Sequence, residues 1–132
     1  MNRYLGACAI AVAVVGINLA AAQSAGLKMQ KYPEVVDARV YAKSDNRFDF
    51  DVTLSSPYDT PQRYADAFRV MSTEGVSFGE RKLLHDHGGE QPFTRDLYGV
   101  VIPAGIDTVV IQGRDKKYGY GGKTLHITLP GR

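Results

Sequence analysis

Residues 47–54, RFDFDVTL, decide the fold. Phe48, Phe50, Val52 and Leu54 alternate with Arg47, Asp49, Asp51 and Thr53. A helix would scatter four residues spaced by two around its circumference, whereas an extended chain sends all four to one face. The stretch is predicted to be a central strand, with its apolar face on the core and its polar face in water.

Period-two patterning continues on both sides of it. On the N-terminal side, Val36, Ala38, Val40 and Ala42 fall on one face with Asp37, Arg39 and Tyr41 on the other, a first strand from Glu34 closed by the turn formers Ser44-Asp45-Asn46. On the C-terminal side, the loop SSPYDTPQ (55–62) precedes a third strand carrying Tyr64, Phe68 and Val70. The good helix formers in RYADAFRVM also allow a helix there, but the surrounding pattern favours strand. Val76–Leu84, Thr94–Ile102, Asp107–Gln112 and Lys123–Leu129 supply four more strands, separated by Thr73-Glu74-Gly75, HDHGGEQPF (85–93), Pro103–Gly105 and GRDKKYGYGG (113–122). Seven short strands with turn signals between them predict an all-β, immunoglobulin- or fibronectin-like sandwich.

The first 22 residues read as a cleaved export signal, not as part of that fold. Arg3 precedes an apolar stretch from Leu5 to Ile17, and Ala20-Ala21-Ala22 supplies small residues for cleavage after Ala22. The apolar run is short of the roughly 20 residues that span a bilayer, so no stable membrane insertion is expected after cleavage. Leu5-Gly6-Ala7-Cys8 has the form of a lipoprotein box, but no apolar segment precedes it. Residues 23–33 read as a flexible lead-in, which leaves 34–132 as one β-sandwich domain. The expected location is the bacterial periplasm or the medium.

Cys8 is the only cysteine, so the mature chain has neither disulfides nor thiolate ligands, and its core alone must hold it. Without Arg3, 15 basic residues face 14 acidic ones. Charges so balanced and scattered give no footprint for nucleic acid or for a membrane surface.

If each short connection reverses the chain, the loops 55–62, 85–93 and 113–122 share one end of the sandwich, where binding loops commonly sit. His85 and His87, two apart on an extended chain, leave the same face and can converge on one ion; neutral imidazole suits copper or zinc. Glu90, Asp59 and Asp66 are the candidate further ligands, and His126 is a poorer one. The competing reading is a polar turn in which the histidines donate to loop carbonyls and Glu90 pairs with Arg95 or Arg81. Tyr58, Arg63, Tyr64, Arg95, Tyr118 and Tyr120 are candidate contacts for a small ligand or a periplasmic protein. Pro92 can fix an entry turn and Phe93 can anchor the loop in the core. No serine sits in a nucleophile elbow, no cysteine nucleophile is present, and H-E-x-x-H is absent. A non-catalytic role is expected.

RKLLHDHGGEQPFTRDL resembles the motif R-x-L-L-H-P-H-x-x-E-Q-P-F-T-R-S-L of a family of small exported bacterial proteins. Tyr64-Ala65-Asp66 and Gly119-Tyr120-Gly121-Gly122 resemble two further blocks of that family. The resemblance implies an immunoglobulin-like sandwich and an exported location, and it implies no particular activity. The family's histidines before the second and third blocks are Arg63 and Tyr118 here, and its tryptophan is absent.

Overall fold

A computed structural model describes residues 30–132; the expected signal (1–22) and the first part of the lead-in lie outside the described residues. Eight strands and no helix occur among them: β1 (Glu34–Ala42), β2 (Arg47–Ser55), β3 (Ala65–Met71), β4 (Ser77–Lys82), β5 (Phe93–Val101), β6 (Thr108–Asp115), β7 (Gly119–Tyr120) and β8 (Leu125–Thr128). The two-residue β7 falls inside the stretch expected to be loop, and β6 runs three residues further into it than expected, to Asp115. The possible helix at RYADAFRVM is strand β3.

All pairings are antiparallel. One sheet has the order β1-β2-β5; the other has β4-β3-β6, with β7 and β8 both pairing β6 along different halves of its length. The inward side chains of both sheets enclose one apolar core. Phe48, Phe50, Val52 and Leu54 of β2 meet Phe68 and Val70 of β3 and Val109 and Ile111 of β6 there. Phe50 and Phe68 have no exposed surface, and burying a side chain of that size contributes about 1.5–3 kcal/mol.

At two places where the strict alternation fails, a β-bulge is the cause. Val35 pairs with Leu54 and Asp37 with Thr53, so Val36 is an extra residue on β1. The bulge turns Val35 into the core and leaves Val36 exposed, opposite to the expected facing of Val36, while Ala38 and Val40 still pack on the core. A second bulge sets Asp66 between Ala65, opposite Asp115, and Ala67, opposite Arg114. It switches the parity of β3, so Ala65 is buried and Tyr64 is not an inward strand residue.

Residues 30–33, the end of the expected flexible lead-in, are held against the domain. Tyr32 lies on Gly121, where an added Cβ would sit 2.6 Å from its ring, and Pro33 lies equally close on Gly113. The chain passes between these glycines and enters β1 through a Val35 N–H bond to the Lys123 carbonyl, 3.0 Å.

Candidate functional site

The loops 55–62, 85–93 and 113–122 do meet at one end, and two buried carboxylates join them. Asp59 stands at the first junction, its side chain fully buried. Its Oδ1 accepts from the Ala65 N–H (3.0 Å) and its Oδ2 from the His87 N–H (3.1 Å). Burial raises its pKa, and the two backbone donors only partly offset this. Gln91 adds a second stitch: its carbonyl accepts from Ser56 N–H (2.7 Å) and its amide donates to the His87 carbonyl (2.9 Å).

His87 is buried, and its ring stacks on Phe93 at 3.9 Å and 8°. Its Nδ1 has no hydrogen-bond partner among the described residues and lies 4.0 Å from Asp59 Oδ2. Loss of hydration lowers its pKa, and Arg95 and His85 push in the same direction. The His85 ring is 4.6 Å away, tilted by 38°. His85 is exposed, and its Nδ1 donates to the Asp86 carbonyl (2.9 Å), because a carbonyl oxygen can only accept. Phe93 is 1% exposed and anchors the loop in the core, and the Gln91–Pro92 bond before it is cis.

The five residues considered as metal ligands do not form one set. His87 neighbours both Asp59 (4.0 Å) and the His85 ring (4.6 Å), but Asp59 spends both oxygens on backbone amides. Glu90 pairs with Arg95 (3.2 Å), and this interaction lowers the glutamate's pKa. Asp66 pairs with Arg114 at 2.5 Å on the outer face of the β4-β3-β6 sheet. His126 lies opposite Val110, on the half of β6 away from Asp115. Among the described residues no three His, Cys, Asp or Glu side chains are grouped to hold a metal ion. Of the polar-turn arrangement, the His85 bond to a loop carbonyl and the Glu90–Arg95 pair are present, whereas the His87 ring stacks on Phe93 and does not donate to a carbonyl among the described residues.

The second junction is Asp115, which the sequence reading left inside a loop. It closes β6 and is fully buried. It accepts from Tyr58 OH (2.7 Å), Arg63 Nε (3.2 Å) and the N–H groups of Lys117 and Tyr118 (2.9 Å each). Burial, then the bond to Asp115, drives the Tyr58 pKa far above the usual phenol range. The signal that could have revealed this residue is the spacing D-K-K-Y, an aspartate whose following amides fold back on its own carboxylate.

Arg63 ties the cluster together. Its guanidinium lies over the rings of Tyr58 (4.2 Å) and Tyr118 (4.9 Å), and it donates to the carbonyls of Gln30 (3.3 Å) and Lys31 (2.7 Å). Tyr118 remains 43% exposed, edge-on to Tyr32 and flanked by the ammonium groups of Lys31 and Lys117. The remaining tyrosines are placed differently. Tyr64 donates to the Leu84 carbonyl, and Tyr120 lies on the outer sheet face with its hydroxyl on Glu80.

In comparison with known proteins, the chain is similar to a protein of Halomicrobium mukohataei named "Putative lipoprotein", with 36% identity over 93 residues. The match covers 70% of this chain and 45% of that protein, so the chain spans less than half the length of its relative. No family model matches the chain. No solved structure matches it at a significant level.

Proposed function

We propose that this protein is an exported, non-catalytic interaction module of the cell envelope, which engages a protein partner through the Tyr118 end of the sandwich and needs no metal to do so. The observation that carries this reading is Tyr118 itself. It is an exposed aromatic ring held from behind by Arg63 and flanked by two lysines, in a cluster whose geometry a buried carboxylate already fixes. Rigid tyrosine and arginine groups are the residues from which interface hot spots are built, and preorganisation lowers the entropy cost of binding. Of the side chains considered for a metal centre, Asp59 is committed to amides, Glu90 and Asp66 to guanidinium groups and His87 to a stacked phenyl ring, which leaves His85 alone.

An envelope or exported location is supported by the name of the Halomicrobium relative and by the signal pattern in residues 1–22. Within that location we assign the mature chain to the periplasm or the medium, beginning at Gln23. The sheet orders β1-β2-β5 and β4-β3-β6-β8, with the chain crossing between sheets after β2, β4 and β5, support an immunoglobulin- or fibronectin-like sandwich. Membership of the exported family that the motif around His85 resembles rests on that motif and its two companion blocks.

Crosslinked pulldown from cells expressing the exported protein tests the reading. It is expected to recover a partner that chelator does not release and that Tyr118→Ala loses. Recovery that is the same for wild type and Tyr118→Ala would exclude this surface. Calorimetry of the metal-free protein with copper and zinc is expected to show no stoichiometric site; one ion per chain, lost in the His85→Ala/His87→Ala double variant, would restore the metal reading. Intact-mass analysis of the exported protein checks the N-terminus, since a lipid-modified Cys8 in place of Gln23 would overturn cleavage after Ala22.

A further inference from the structure

The outer face of the β4-β3-β6 sheet carries a feature separate from the loop end and independent of its role. Register places Lys82, Ala67 and Arg114 in one cross-strand row, with Glu80, Arg69 and Gln112 in the next. Phe68 points into the core, so Ala67 points outward, yet it is only 3% exposed. A methyl group between two long cationic side chains leaves the sheet surface sunken, and the depression holds about 470 Å³. That is a volume typical of small-ligand sites.

Its walls are pinned. Arg114 is held by Asp66, and the Tyr120 ring lies across the Arg69 guanidinium (4.1 Å) with its hydroxyl on Glu80. The Tyr64 hydroxyl is held by the Leu84 carbonyl. Side chains already fixed lose little freedom when a ligand arrives.

The donor and acceptor inventory then selects the ligand. Asp66 and Glu80 face Arg114 and Lys82, so the formal charges cancel and the depression offers no net charge to hold an ion of either sign. Glu80 lines the depression and uses one carboxylate oxygen on Tyr120, leaving the other as an acceptor, while Lys82 forms no salt bridge among the described residues. Leu84, 82% exposed, adds an apolar lip. A matching molecule is uncharged, carries hydroxyls that donate to Glu80 and accept from Lys82, and has a C–H face to lay on Leu84. We propose that the depression over Ala67 is a binding site for a neutral saccharide.

Saturation-transfer NMR on the protein purified after export tests this, using maltotetraose, cellotetraose and chitotetraose as probes, with ethanolamine, a cation at neutral pH, and galacturonate, an anion, as charged controls. Transfer to the ring protons of at least one neutral sugar is expected, weakened tenfold or more by Ala67→Leu, which fills the floor. Lys82→Ala, an exposed change that leaves the core intact, is expected to weaken it several-fold. The proposal is overturned if no neutral sugar receives saturation. It is equally overturned by transfer that survives unchanged in Lys82→Ala, or by a stronger signal from either charged control.

Discussion

At the scale of single residues, the loop end is governed by two buried acids. Asp115 satisfies a guanidinium, a phenol and two amides, so Asp115→Ala leaves several donors unpaired in a buried setting. Loss of one partner from such a network costs about 3–5 kcal/mol, and a denaturant titration should register a loss of at least about 3 kcal/mol. His87 gives a pH signature. Its folded pKa is depressed by burial, so the neutral ring is the form the fold prefers. Its contribution is complete above the unfolded value near 6.5 and is lost as pH falls through the lowered folded value. Asp59, raised by burial, acts with the opposite sign: its contribution is present below the usual 3.8 and lost as pH rises through the raised value. His87→Phe keeps the stack on Phe93, removes one titration and leaves Asp59 in place. The melting-temperature drop between about pH 7.5 and about pH 5.5 should therefore be smaller in the variant than in wild type. An equal drop in both proteins would mean that His87 does not carry it. The prominence of His85-x-His87 was legible in the sequence. The role of its neighbours was not, because it depends on which cation reaches Glu90 and which amides reach Asp59 from other strands.

At the scale of elements, alternation in RFDFDVTL was sufficient to place β2, since all four of its apolar residues are buried. The bulges at Val36 and Asp66 were not legible. A bulge is a mismatch between two strands, and neither strand's own sequence records how many residues its partner sets opposite. Nor did the sequence reveal that Gln30–Pro33 are strapped down. The requirement is written instead at the far side, in glycines that leave room. Gly121→Ala puts a methyl group 2.6 Å from the Tyr32 ring, so the strap must lift or the turn must move. Overpacking of this kind costs about 1–3 kcal/mol. Hydrogen exchange should locate the change, with faster exchange at the Val35 amide and little change in β2.

At the scale of the whole molecule, one core joins both sheets, and the only cysteine, Cys8, lies outside the described residues. Unfolding of the mature protein is expected to be a single cooperative transition whose midpoint reductant does not move. Two transitions, or a midpoint shifted by reductant, would contradict that. The end opposite the loops is closed by Arg132, which donates to the carbonyls of Ile102, Pro103 and Ile106 and to the Asn46 side chain. One seam has a further consequence. β4 and β5 each end a sheet, and strands in that position offer bare backbone groups to any neighbour. Here Arg81 bends across the seam to the main-chain oxygen of Asp96 (3.0 Å) and to its carboxylate. A side chain therefore occupies a contact by which one molecule would seed the next. Arg81→Ala should raise light scattering on prolonged incubation at high concentration. With Arg81 in place, the Asp96 carbonyl at this seam already has its donor and is not open to a neighbouring copy.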